Sequence, residues 1–268
     1  MSIRKINKKT YFVLFAIFGV LLLLVELFNL KHSSGTLRYE LVYGTVARFL
    51  GSAISILLMS YVSYTYLFSV KNFDLRGFLF IIPCFIIAIN NFPFVSIFEN
   101  TVVFKDSWQY VVLYAVQCLL VGIFEETAFR GCVFMLLLEK RNKTRKDIFI
   151  SIILSSLVFG AVHIANLIVG ASPIPVLLQL GYSFLIGCMC AVVLLLTKNI
   201  WCPIIIHALY NFAGGVLPKF VDGFDIWTKG EVIVTVVVSI VIAVYTIVLF
   251  AKCDLEKMRS ILKKPEKN

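Results

Sequence analysis

The sequence predicts an all-α fold: a polytopic membrane helix bundle of about eight transmembrane helices, with both termini cytoplasmic. Three observations lead there. Hydrophobic residues fill 60% of the chain and charged residues only 15%, where a soluble domain holds about 45–50% apolar and ~25% charged residues. Apolar stretches long enough to cross a hydrocarbon layer of about 30 Å recur along the whole length. The Lys and Arg residues, finally, fall mainly on one side of the implied membrane.

The spans lie near 11–30, 41–69, 78–98, 108–138, 148–169, 176–196, 200–217 and 231–251. The first has the basic start and apolar run of a secretory signal. No A-x-A cleavage pattern follows Leu30, however, so it reads as a retained span. The third contains Asn90-Asn91-Phe92-Pro93. Proline removes a backbone donor and side-chain amides can satisfy the freed groups, which predicts a broken helix near the outer surface. In the sixth, Gly181 and Gly187 permit close helix packing. The seventh is short and opens on the breaker pair Cys202-Pro203.

With the N-terminus inside, 18 of the 25 Lys and Arg residues fall before span one, between spans two and three, four and five, and six and seven, and after span eight. The outer segments hold five (Lys31, Arg38, Lys105, Lys219 and Lys229), and Arg48 and Arg130 lie within spans. Adding or removing one span scrambles this asymmetry, so the positive-inside rule supports eight. The net charge of +10 then reflects topology-setting residues beside anionic lipid. The basic tail after Lys252 has no aromatic platform for bases, so no nucleic-acid partner is expected. The seven cysteines form no CxxC pair, which points to neither a disulfide framework nor a thiolate metal site. No repeat or low-complexity linker divides the chain, and residues 1–268 are expected to form a single integral membrane domain.

The fourth span is apolar from Trp108 to Leu138 apart from Gln109, Gln117 and the segment EETAFR. A charge at the bilayer centre costs about 2.5–3.5 kcal/mol on insertion scales, so intramembrane ionisable residues mark function by default. Glu126 and Arg130, four apart, share a helix face and can pair. Glu125 is rotated by about 100° and faces elsewhere. One carboxylate is then held while the other stays free. Two further segments bring His163 in FGAVH and His207 with Asn211 in HALYN. Measured from the assumed cytoplasmic ends, Glu125 and His163 lie ~20 and ~22 Å deep and His207 ~10 Å. The groups meet only if helices four and five protrude on the cytoplasmic side, placing the site in the cytoplasmic half.

Peptide hydrolysis needs an activated water, a base and donors for the oxyanion. A glutamate in apolar surroundings suits the base, and imidazoles and an amide suit the donors. The same groups also suit a second design, in which Glu125, His163 and His207 form a His₂Glu set for Zn2+ with an open fourth position. Spacing leaves both open, because the ligands come from separate helices.

Taken in order, Glu-Glu-x-x-x-Arg at 125–130, Phe-x-x-x-His at 159–163 and His-x-x-x-Asn at 207–211 resemble the CPBP family. This is the CAAX-protease and bacteriocin-processing group of intramembrane proteases, type II CAAX prenyl endopeptidase-like, and the resemblance covers roughly residues 108–217. It implies an eight-helix intramembrane endopeptidase with a cavity open to the cytoplasm. By position, Glu125 would activate the water with help from His163, His207 and Asn211 would stabilise the oxyanion, and Glu126 and Arg130 would shape the site. Metal-dependent and glutamate-based mechanisms are both compatible with the family. The implied partners are the lipid bilayer and a membrane-associated peptide or protein substrate. The Lys-, Ile- and Asn-rich composition points to a bacterial plasma membrane, with peptide maturation, bacteriocin self-immunity or surface-protein regulation as roles. A non-catalytic scaffold or immunity protein of the same fold is the alternative. A proton-coupled transporter is disfavoured by the lack of an internal repeat.

Overall fold

A computed structural model describes residues 36–99, 103–104, 107–168, 170–222, 224 and 228–263. The first expected span, 11–30, lies outside the described residues. The long helices are α1 (Leu37–Tyr61), α2 (Leu75–Ile89), α4 (Trp108–Glu126), α6 (Arg145–Val162), α8 (Pro173–Thr197), α9 (Trp201–Phe220) and α10 (Lys229–Lys252). Shorter ones are α3 (Phe94–Glu99), α5 (Met135–Lys140), α7 (Ala165–Ile168) and α11 (Leu255–Arg259). No strand forms among the described residues; Phe104 and Val221 make an isolated antiparallel bridge.

Six helical stretches are long and apolar enough to cross a membrane: Leu37–Tyr61, Leu75–Phe98, Trp108–Lys140, Arg145–Ile168, Pro173–Thr197 and Lys229–Lys252. Helix α9, the short seventh span, is 20 residues long but is not among them. Its Pro203 falls in the first turn, where a missing N–H leaves no internal bond unmade, so the breaker pair starts the helix rather than ending it.

Helix starts precede the hydropathic boundaries because polar residues cap them. Asp74 accepts from the Gly77 N–H at 2.7 Å, and Thr144 and Asp147 form a reciprocal capping box on α6. Helix α1 stops at Tyr61 although the apolar run continues, because Ser63 turns into the left-handed region at φ 66° and a 3₁₀ turn follows at Thr65–Phe68. The break expected at Asn90–Pro93 separates α2 from α3. The Asn91 amide donates to the Tyr210 carbonyl at 2.9 Å, tying this break to α9.

Helix α4 packs chiefly against α1 and α9, and α6 against α8. The second half of α8, from Ile186 to Thr197, is buried throughout. Large apolar side chains face outward instead, among them Leu57, Ile86, Leu177 and Ile233, as lipid contact requires. The expectation for Gly187 holds: a Cβ there would lie 3.1 Å from Arg130 Nη2 and Ser156 Oγ. Gly181 faces open space and packs against nothing.

The segments expected at the cytoplasmic side gather at one end of the bundle. Asp74 N–H donates to the Thr197 carbonyl and Ile200 N–H to that of Leu67, each at 3.0 Å. The Arg145 guanidinium donates to the Phe250, Ala251 and Cys253 carbonyls at 2.8–2.9 Å, a favourable place for a cation at a helix C-terminus. Asp74 also pairs with Lys257 of α11 at 3.0 Å. At the opposite end Lys219 meets Glu40, and Glu231 accepts from Ser96 N–H at 3.2 Å.

Asp74 yields a pH prediction. Burial raises its carboxyl pKa, but the Gly77 N–H and Lys257 outweigh burial and hold it below the ordinary value. A depressed folded-state pKa gives stability that is complete above the unfolded value and lost as pH falls through the folded one. We predict that α11 undocks from the 62–74 segment once pH drops below about 3.9. Hydrogen-exchange protection factors over 255–263 check this; equal protection at neutral and acid pH would contradict it.

Candidate active site

Glu125 and Glu126 close α4, and the chain then widens into a π-helical segment, Thr127–Phe134. Such segments are rare and occur frequently at functional sites. Thr127 anchors the transition: its hydroxyl donates to the Ile123 carbonyl at 2.7 Å and contacts Ser55 Oγ of α1 at 2.6 Å. One turn earlier, α4 touches α9 at Gly122, where a Cβ would lie 2.7 Å from the Ile204 carbonyl oxygen. This near-contact of backbones sets the glutamates beside His207. Gly122→Ala must therefore part the two helices. We predict a loss of about 1–3 kcal/mol in stability, as for other overpacked sites, with reduced activity; a wild-type melting temperature would refute the close-contact reading.

Glu126 is fully buried. Its Oε1 accepts from Arg130 Nη1 at 3.0 Å and pairs with His207 Nδ1 at 2.7 Å. On the other side of the imidazole, His207 Nε2 lies 3.6 Å from Glu125 Oε2. One ring thus stands between two carboxylates. An ionised carboxylate only accepts, so opposite an ionised Glu126 the His207 Nδ1–H is the donor of this hydrogen bond. Arg130, itself 1% exposed, lies over the Phe159 ring at 4.3 Å from its centroid. That ring also meets His163 at 5.6 Å and His207 at 5.8 Å, both edge-on. Phe159 is the apolar partition on which the cation and both imidazoles are set.

A cavity of about 330 Å³ opens beside this cluster. Glu125, His163, His207 and Asn211 line it; Glu126 and Arg130 stand behind its wall. The expected depth mismatch is thereby resolved, since Glu125 and His207 meet directly. The stretch Trp108–Lys140 is 33 residues long, about 50 Å of helix, longer than a span needs. Glu139 at its end is bonded by the Tyr64 hydroxyl.

Much of the cavity wall lies outside the three motifs: Arg48, Tyr114, Gln117, Asn166, Gln179 and Tyr182 among others. The signal was present. Tyr114, Gln117, Val121 and Glu125 recur at intervals of three and four, the period of one helix face, and so do Gln179, Tyr182 and Ile186.

Among the described residues no group of three His, Cys, Asp or Glu side chains is close enough to hold a metal ion; the pair Glu125 and His207 lies within 3.6 Å, with Glu126 on the far nitrogen of the imidazole.

Residues 107–213 match the Rce1-like family of type II CAAX prenyl endopeptidases. The Rce1-like segment runs from the residue before α4 into α9 and holds all six candidate residues. It overlaps the stretch of roughly 108–217 over which the motifs resemble that family. The family is one of proteases, and the apolar helices make the chain a multi-pass membrane protein. Neither curated proteins nor solved structures yield a match.

Proposed function

We propose that the chain is an intramembrane endopeptidase that hydrolyses membrane-associated peptides or proteins by a glutamate-activated water. One observation carries this reading. The His207 imidazole is held by a buried, arginine-balanced Glu126 and turns its other nitrogen toward Glu125, which lines the cavity. The carboxylate behind the imidazole fixes its tautomer and orientation, the same logic by which a buried aspartate serves a catalytic histidine.

In this scheme water bound between Glu125 and His207 attacks the scissile carbonyl carbon. Glu125 takes the water proton and the carbonyl oxygen becomes the oxyanion. Collapse breaks the C–N bond, and the proton passes to the leaving amine. In the same scheme Asn211, one turn beyond His207 on α9, and His163, across Phe159, both on the cavity wall, donate to the oxyanion. His207 rather than His163 is then the imidazole that works with Glu125, a change from the roles the resemblance implied.

The cavity wall favours an unlipidated peptide. Gln117, Asn166, Gln179 and Asn211 line it, and amides pair with an extended backbone, whereas a prenyl chain calls for a mainly apolar pocket. Peptide maturation or surface-protein processing in a bacterial plasma membrane fits that chemistry.

The test compares peptide termini by mass spectrometry in cells carrying wild type or Glu125→Gln at equal expression. A terminus that disappears in the variant establishes proteolysis and identifies a substrate. Unchanged termini with an intact phenotype overturn the proposal in favour of a non-catalytic scaffold or immunity protein.

A further inference from the structure

The cavity runs in one direction only. From Glu125 its wall follows α4 back toward Tyr114, and from His207 it follows α9 forward to Lys219. These are paths of about 16 and 18 Å along the helices. On α8 it reaches Gln179, near the helix start. In the opposite direction the floor is closed. Glu126, Arg130, Ile204 and the stretch from Ile186 to Thr197 are buried there, and none of the residues from 187 to 206 lines the cavity. Among the described residues the mouth therefore lies at the end where α4 and α8 begin and α9 finishes.

That end is poor in cations. Of the 17 Lys and Arg among the described residues, twelve lie in the segments gathered at the other end, from Lys71 and Arg76 to Lys263. Only Arg38, Lys219 and Lys229 mark the mouth end, while Arg48 and Arg130 lie within helices. Basic loops are retained in the cytoplasm. The expectation that the basic loops are cytoplasmic and the expectation that the cavity opens to the cytoplasm therefore exclude each other in this geometry.

We infer that the cavity is entered from the extracytoplasmic face. Resting on the proteolytic reading, the substrate is then a peptide segment presented on that face: the outer juxtamembrane stretch of a membrane-anchored polypeptide, or an exported peptide. The polar mouth admits such a segment in extended form, and the sealed floor keeps the reacting carboxylate away from the cytoplasm.

Thiol labelling tests the access route without any need for activity, so its failure is distinct from failure of the proteolytic reading. Three variants of the full-length protein are compared with wild type, which controls for its own cysteines. Ser172→Cys sits on the exposed loop at the mouth end, Gln179→Cys on the cavity wall, and Lys143→Cys on the exposed loop at the basic end. A membrane-impermeant maleimide–polyethylene glycol reports on the two loops and a small charged methanethiosulfonate on the cavity. In intact cells we expect a gel shift for Ser172→Cys, loss of free thiol for Gln179→Cys, and labelling of Lys143→Cys only after permeabilisation. A shift of Lys143→Cys but not Ser172→Cys in intact cells would reverse the orientation and overturn the inference. Labelling of Gln179→Cys only from the cytoplasmic side would equally overturn it.

Discussion

Glu125→Gln will lower cleavage by about two to four orders of magnitude, the range over which a positioned general base acts. The protein will fold as wild type does. The amide keeps the size of the carboxylate and fills the same place on the cavity wall, but it cannot take the water proton. Folding is spared because Glu125 makes no contact closer than 3.6 Å to His207, whereas the buried ion pair is formed by its neighbour. Chelators should leave the wild-type rate unchanged and added zinc should not raise it. A rate that collapses on chelation and returns with zinc would mean that Glu125, His163 and His207 rearrange around a metal. Single-turnover cleavage of a substrate found by terminus mapping measures both.

The second large effect falls on stability. Arg130→Ala or Glu126→Ala should each destabilise the bundle by about 3–5 kcal/mol, because removing one partner strands a charge in a low-dielectric interior. Glu126 is 0% and Arg130 1% exposed, so water cannot replace the lost partner. Glu126→Ala takes the acceptor from both Arg130 and His207 Nδ1 and frees the imidazole to rotate. It should therefore abolish activity even in molecules that stay folded. Arg130→Ala also removes the cation from the Phe159 face. Thermal unfolding in detergent, with Glu125→Gln as the folded control, measures the difference. If Arg130→Ala melts with Glu125→Gln, the two glutamates do not divide their work as described.

Hydropathy located the spans because the cost of exposing backbone and charge to lipid is set by composition over about 20 residues. The helical stretches Trp108–Lys140, Arg145–Ile168, Pro173–Thr197 and Lys229–Lys252 lie where apolar length alone puts them, within a few residues. At the starts of α2 and α6 the expected boundaries fall late because the capped first turns, at Asp74 and at the Thr144–Asp147 box, belong to the helix but lower its hydropathy. The Asn90–Pro93 break was legible because proline acts locally. The Glu126–Arg130 pair was legible because both residues sit on one helix, where a separation of four means contact.

What one helix does to another was not legible. That His207 stands between Glu125 and Glu126 depends on the backbone contact at Gly122, and Gly122 has no sequence mark that tells a packing glycine from any other. The π-helical segment after Glu126 depends on how the surrounding helices hold Thr127 and Arg130, not on the propensity of eight residues. The direction of the cavity follows from which ends of α4, α8 and α9 are packed shut, a property of three helices together. By itself, then, the sequence determined the membrane bundle, its basic end and the identity of the chemical groups, since each follows from local composition or from spacing along a single helix. The partner of each group and the direction in which the cavity runs were decided only by the tertiary structure, because contacts between helices have no period along the chain.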